Sequence, residues 1–456
     1  MTTDRPTSPG ETPPGSAAGP DGGPAPAGPL VHYANLVSDL AVDLDERDAL
    51  RSWAEQAPRE AWLLRPGDVL VSPVPVGEPF LEYVCGLTGV PRASVTVLVL
   101  PGGFLSADGT APDRAAVEAV RAARAGRPVA AVLPTALDPA AIALADALET
   151  SVAPYPSVEA AGAALGVTRL LNTKAGFRDA ARALGMRLPD GRVRRRAGVA
   201  DAVRDLLASH GRVVVKPDRS AGGHGLFFLP APDPWSADDL PPVGGAEGLW
   251  VVEERIDVAR SVSIQLETGP DGTRALFSGE TRTADGSFTG YLSPLPAPVA
   301  HTGPVLEAWG RALGGFLAER GYAGPFGLDA MVSADGEVLA GESNVRRTAT
   351  TTPRAMVARL AARAGSGDPA WGTGKLRAPA PYSFGEAVER LRAGRLAYDP
   401  ARGEGVVLYA GPPPDGLTWR YAVIAEGPAA VARYEGLLRS FWSRGSRGAT
   451  SPARTA

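Results

Sequence analysis

Asp329, Glu342 and Asn344 are the residues of this chain whose types and spacing most directly suggest chemistry. They sit in the stretch 327–346, where apolar and polar residues alternate on either side of Asp335-Gly336. That dipeptide is a strong signal for a two-residue hairpin turn. Such a turn pairs Asp329 with Glu342 and Gly327 with Asn344, with Arg346 two residues further along. Facing side chains on a hairpin have Cβ atoms roughly 4.5–5.5 Å apart. Two carboxylates that close repel each other, and a divalent cation between them removes the cost. Oxygen donors from Asp, Glu and Asn suit Mg²⁺, which leaves further positions for water and phosphate.

The basic residues carry a second signal. The chain has three lysines in 46 basic residues, so arginine supplies nearly all positive charge. Lysine is a compact point charge that suits crowded phosphate oxygens, whereas arginine is a planar fork. Lys174 opens a helical stretch. Lys216 closes the apolar run 212–216, just before the loop Ser220-Ala221-Gly222-Gly223-His224-Gly225. Strand-like runs at 213–216 and 226–229 flank that loop, so it reads as strand–loop–strand. A P-loop or a dinucleotide-binding turn needs a following helix. The Gly-Thr-Gly-Lys375 run also lacks the Ser/Thr that a P-loop requires, because Leu376 follows. A hairpin lid can still cradle phosphates through its backbone N–H groups.

Elements that would position these residues are readable along the chain. The 456 residues exceed one core and imply two to four domains. Residues 1–29 hold eight prolines and six glycines and read as a disordered tail; residues 446–456 read alike. Residues 30–165 alternate strands (68–72, 94–100, 128–133) with helices (79–87, 114–124), the pattern of a parallel α/β sheet. Residues 166–362 form a helix followed by hairpins. Residues 363–380 read as a linker, and 381–445 as a small αββα unit (helix 383–393, strands 405–410 and 418–425, helix 428–442). The fold class is therefore α/β and α+β. A net charge of -4 without a basic stripe argues against nucleic acid as partner. No apolar run is long enough to span a membrane, the single cysteine, Cys85, permits no intrachain disulfide, and no signal peptide is visible. These features predict a cytoplasmic protein.

The order of parts resembles the ATP-grasp superfamily over residues 166–362: a helix-opening lysine, a strand lysine before a glycine-rich hairpin, the apolar-acidic hinge 250–256, and a metal hairpin ending Glu342-x-Asn344-x-Arg346. The preceding segment resembles a pre-ATP-grasp domain. The whole layout, small C-terminal unit included, resembles the pheganomycin-type peptide ligases of actinobacterial natural-product pathways. The resemblance implies ATP and Mg²⁺. Lys174 and Lys216 would contact the α- and β-phosphates, and Ser220, Gly222, Gly223 and Gly225 would close over the β- and γ-phosphates. The hinge backbone at Glu254 and Ile256 would pair with the adenine edge, with Glu253 in the same hinge among the nucleotide-binding residues and Met331 beneath the base. Asp257 or Ser261 would hold the ribose. Asp329, Glu342 and Asn344 would hold Mg²⁺, and Arg346 would steady the transferred phosphoryl group.

Arg282, on a strand between hinge and metal hairpin, is a further candidate for a substrate carboxylate or a developing oxyanion. The implied reaction activates a carboxylate as an acyl phosphate and joins it to an amine, forming a peptide bond. Competing readings are a carboxylase or carboxylate kinase on the same fold, and a non-catalytic nucleotide-binding regulator. No lysine follows Lys375, which excludes a self-biotinylated carrier at the C-terminus. The expected partners are small-molecule or peptide substrates, with a homodimer admitted.

Overall fold

The computed structural model describes residues 28–38, 40, 47–100, 113–124, 126–220, 225–230, 240, 248–284 and 287–442. Three sheets organise them.

In the N-terminal unit, β1 (Leu30–Tyr33), α1 (Arg47–Ala54), β2 (Val69–Ser72), α2 (Glu78–Thr88), β3 (Thr96–Val99), α3 (Arg114–Ala123), β4 (Ala131–Pro134), α4 (Pro139–Ala147) and β5 (Ser151–Val152) follow in order. The strands form a wholly parallel sheet in the order β3-β2-β1-β4-β5. β1, β2 and β4 are almost entirely buried, which explains their unbroken apolar runs. Asp113 and Asp138 cap α3 and α4 through their carboxylates. The predicted tail overran by two residues. Gly28 and Pro29 belong to the folded unit, since Ala130 N donates to Pro29 O at 2.8 Å.

Two helices then run end to end, α5 (Val158–Leu171) and α6 (Lys174–Ala183). The Thr173 hydroxyl accepts from Gly176 N at 3.0 Å and starts α6, which puts Lys174 at its first position. β6 (Gly191–Arg195), α7 (Val199–His210), β7 (Arg212–Pro217), β8 (Phe227–Pro230) and β9 (Leu249–Glu254) build a four-stranded antiparallel sheet, order β6-β9-β7-β8. This small unit has its own core of Val203, Leu206, Val213, Val215, Trp250 and Val252. β7 and β8 pair across the glycine loop, so the predicted strand–loop–strand is present.

The largest sheet takes in β10 (Val258–Gly269), β11 (Gly272–Ala284), β12 (Ser287–Ser293), β13 (Gly324–Ser333), β14 (Val338–Asn344), β15 (Ala370–Arg377), β16 (Gly405–Leu408) and β17 (Thr418–Ala425). Its order is β14-β13-β10-β11-β12-β15-β17-β16. Around it lie α8 (Gly303–Ala318), α9 (Thr351–Ala364), α10 (Phe384–Ala393) and α11 (Pro428–Trp442).

Residues 363–380 are therefore not a linker. β15 is an interior strand that stitches the C-terminal strands to the central sheet. Its small residues serve packing: a Cβ on Gly374 would lie 2.5 Å from the Tyr421 hydroxyl. α7 and α8 also lie within a segment expected to hold one helix and then hairpins. The C-terminal unit shares a core with the N-terminal one, where Trp62, Phe80, Phe384, Trp419 and Trp371 pack together. Trp62 Nε1 donates to Tyr409 O at 2.9 Å across that boundary.

Candidate functional site

The β13–β14 hairpin pairs Asp329 with Glu342 and Gly327 with Asn344, as the spacing predicts, but by a different route. Ser333 N bonds Glu337 O, so the loop holds three residues, 334–336, rather than two. Gly336 takes the left-handed conformation there, with φ 88°. That loop alone would set Asp329 against Gly341. A bulge at Gly341 restores the register, with Ala340 opposite Ala330 and Glu342 opposite Asp329. Ala340 N turns away to Arg187 O at 2.8 Å.

Around the two carboxylates the side chains form a connected chain. Asn344 Nδ2 donates to Asp329 Oδ2 at 2.9 Å, and Arg346 donates to Asn344 Oδ1 at 2.7 Å. Arg346 also donates to Asn172 Oδ1. Lys174 Nζ lies 3.5 Å from Glu342 Oε2 and donates to the carbonyl and hydroxyl of Ser220 at 3.0 and 3.1 Å. Burial, and then the negative charge of Glu342, push the Asp329 carboxyl well above the usual carboxylate range. Burial lowers the Arg346 guanidinium, against the pull of Glu342 and Asp329.

This donor set fits a hard cation, because two facing carboxylates are held at a cost that a cation would lift. Among the described residues no group of three or more His, Cys, Asp or Glu is arranged to hold a metal. A cation here would therefore draw its other ligands from phosphate and water. Asn344 already uses both ends of its amide, as a strut between Asp329 and Arg346.

Lys174, Lys216, Ser220, Met331, Asp329, Glu342, Asn344 and Arg346 all line one cavity of about 570 Å³. Other expected residues stand elsewhere. Glu253 is 3% exposed, and its carboxylate lies between Lys216 and Arg178. Burial raises its pKa, but the two cations outweigh that and hold it below the usual range. It is a buried counter-ion for Lys216 rather than a nucleotide contact. The Glu254 carboxylate accepts from Asp190 N at 2.8 Å and lies 3.2 Å from His210 Nδ1. Asp257 is clamped by Arg212 at 2.7 and 2.8 Å, outside the cavity, whereas Ser261 lines it. Ile256 and Gly225 are not lining residues either.

Arg282 points to the C-terminal helix, 2.5 Å from Glu435 Oε1, and does not line the cavity. The substrate contact expected of it gives way to an ion pair. Gly222, Gly223 and His224 lie outside the described residues.

Two positioning residues escaped the sequence reading. Asn172 accepts from Val345 N at 3.1 Å as well as from Arg346, which ties the end of α5 to the hairpin. Asp218 holds the start of α6: its carboxylate accepts from Ala175 N at 2.8 Å and its carbonyl from Lys174 N at 3.0 Å. Their signal was position alone, each being a helix- or strand-end polar residue beside a lysine. Arg59, Thr135, Arg347, Thr348, Lys375 and Arg420 form a further wall of the same cavity.

Comparison with known proteins places this geometry in a fold. Residues 57–150 match the Pre ATP-grasp domain, and residues 386–438 match the PGM1 C-terminal domain. A search of curated proteins by sequence gave no match. Among solved structures, N5-carboxyaminoimidazole ribonucleotide synthetase from Thermus thermophilus aligns with TM-score 0.56 and 16% identity, covering 92% of this chain and 100% of that one. N5-carboxyaminoimidazole synthase from Aspergillus clavatus, in complex with ADP and 5-aminoimidazole ribonucleotide, aligns with TM-score 0.51 and 14% identity, covering 91% and 98%. L-amino acid ligase from Bacillus licheniformis aligns with TM-score 0.52 and 14% identity, covering 91% and 97%. The chain thus has a pre-ATP-grasp domain leading into an ATP-grasp fold. No helix among the described residues is long and apolar enough to cross a membrane.

Proposed function

We propose that this protein is an ATP-dependent carboxylate–amine ligase that forms a peptide bond, in the manner of the natural-product ligases its layout resembles. One observation carries the reading: both lysines, both facing acids and Arg346 line one cavity, although 172 residues separate Lys174 from Arg346. The likeness to structures of an L-amino acid ligase and of a synthetase bound to ADP supports it.

Lys174 and Lys216 bind the triphosphate, and Ser220, held by Lys174, stands beside it. Mg²⁺ held by Asp329 and Glu342 would offset phosphate charge. A carboxylate oxygen of the acid attacks the γ-phosphorus, the bond to ADP breaks, and an acyl phosphate forms. Arg346, fixed by Asn172 and Asn344, faces the charge that develops on the transferred group. The amine nitrogen then attacks the acyl carbon, phosphate departs, and the nitrogen loses a proton.

ADP release from full-length protein, screened over amino-acid and peptide pairs with mass spectrometry of products, tests the proposal. ADP and an amide should appear together. ATP turnover without C–N bond formation overturns the ligase reading in favour of a carboxylate kinase, and nucleotide binding without turnover favours a regulator.

A further inference from the structure

The cavity is lined by more than the residues assigned to the nucleotide, and the further wall is basic. Arg59 comes from the N-terminal unit, Arg347 from the turn after β14, and Lys375 and Arg420 from facing positions on β15 and β17. Three separate parts of the chain therefore bring like charges together. Glu60 answers Arg59 incompletely: Arg59 Nε stands 3.8 Å from its carboxylate, beyond hydrogen-bond reach, and Arg347 lies 3.7 Å from the same carboxylate. That carboxylate is also engaged by the Thr352 hydroxyl at 2.7 Å.

Two buried polar atoms on this wall, Arg59 Nε and Thr135 Oγ1, have no hydrogen-bond partner among the described residues. Arg59 is only 3% exposed. Its Nη1 donates to Gln56 Oε1 at 3.2 Å, but a buried donor left without an acceptor, as Nε is, is costly, and an anion on this wall would supply one. Arg420 makes no ion pair among the described residues, and Lys375 has a single weak contact, 3.4 Å from Phe288 O. Burial, and then the charge of Arg420, lower the Lys375 pKa. Burial foremost lowers that of Arg59; Glu60 opposes, and Arg420 and Arg347 add to the lowering. The groups evidently feel one another.

We propose that this wall is an oxyanion subsite: one of the two molecules joined by the enzyme carries, besides its reacting group, a carboxylate or phosphate held by Arg59, Arg347, Lys375 and Arg420. Guanidinium forks suit both groups. Leu36, Trp53 and Phe288 line the same cavity and offer an apolar flank for the body of that molecule. The inference rests on the ligase reading for what the anion belongs to, but not for whether an anion binds.

Isothermal titration of inorganic phosphate and of glutarate into full-length protein tests it. Both anions are titrated into the wild type and the K375Q/R420Q variant, with and without a non-hydrolysable ATP analogue and Mg²⁺. The two substituted residues lie at exposed and half-exposed positions, so the variant should fold, and a thermal melt checks this. The expected result is that at least one anion binds the wild type tenfold or more tightly than the variant, with the nucleotide site filled. The anion that binds better identifies the oxyanion. Equal affinity in the two proteins, or no binding of either anion to the wild type, overturns the proposal. Titration of the ATP analogue is read separately, so loss of the nucleotide reading and loss of the anion subsite are distinct outcomes. Once the screen yields a substrate, esterifying or amidating its non-reacting acid group should raise its KM at least tenfold and leave the KM of ATP in place.

Discussion

Single residues in this site act through their neighbours. Glu342 faces Asp329 and reaches Lys174, so on the proposed reading Glu342→Gln removes one cation ligand and the counter-charge of Lys174. ADP release should fall on the order of 100-fold or more, while unfolding in urea should shift by about 1 kcal/mol or less. Unchanged ADP release would remove the metal-ligand role. Lys216→Arg should be as severe, because the cation there sits against buried Glu253 and Arg178, where a planar fork cannot replace a point charge. Near-wild-type turnover would contradict that.

Asp68 makes the clearest pH prediction. It is buried and accepts from Leu30 N at 2.7 Å, Arg65 N at 2.8 Å and His32 Nε2 at 2.9 Å. Burial raises its pKa, but these bonds, led by His32, outweigh it and hold the carboxyl below the usual range. Its charge therefore stabilises the fold above the unfolded pKa of about 3.9, and that share is lost as pH falls toward the lower folded value. Urea unfolding of Asp68→Asn against the wild type should show a gap that is constant from pH 7 to about 5 and narrows below about 4. A gap independent of pH would mean that shape, not charge, is what Asp68 supplies.

At the scale of elements, the hairpin that presents the acids depends on two irregularities that cancel. The three-residue loop at 334–336 moves the strands out of step by one residue, and the Gly341 bulge moves them back. A one-residue slip turns every following side chain to the opposite face. Inserting one alanine between Ala340 and Gly341 should therefore carry Glu342 one position on, opposite Leu328, and separate it from Asp329 while keeping the strands paired. We expect Mg²⁺-dependent nucleotide affinity to drop at least tenfold, with a circular dichroism spectrum close to wild type. Retained affinity would show that the acids need not face each other. Other elements serve the site in the same local way: the Thr173 cap sets Lys174 at the head of α6, and Asp218 ties that head to the end of β7.

At the scale of the molecule, the C-terminal strands complete the central sheet and share a core with the N-terminal unit. Truncation after Ala380 would expose Trp62, Phe80 and Trp371, which are about 1% exposed or less in the whole chain. The truncated protein should be insoluble, or should lose its cooperative thermal transition. A soluble, cooperatively melting product would show that the C-terminal unit is an independent appendage. The four-stranded unit of β6–β9 and α7, by contrast, has a separate core.

The sequence by itself determined what depends on local order. Alternation on either side of Asp335-Gly336 made the acidic hairpin legible, and a helix opening at Lys174 and an apolar run ending in Lys216 marked the two cations. Apolar strands between helices showed the parallel sheet. The tertiary structure alone decided what depends on contacts between distant segments. Glycines at 372 and 374 look like linker composition until Val431 and Tyr421 are seen to pack against them. Glu253 looks like a hinge residue until Lys216 and Arg178 are seen on either side of it. Arg282 turns toward Glu435, 153 residues away, while Arg59, Arg347, Lys375 and Arg420 meet on one wall. Strand and helix periodicity are set by neighbours in the chain, whereas burial and charge pairing are set by whichever surfaces the fold brings together.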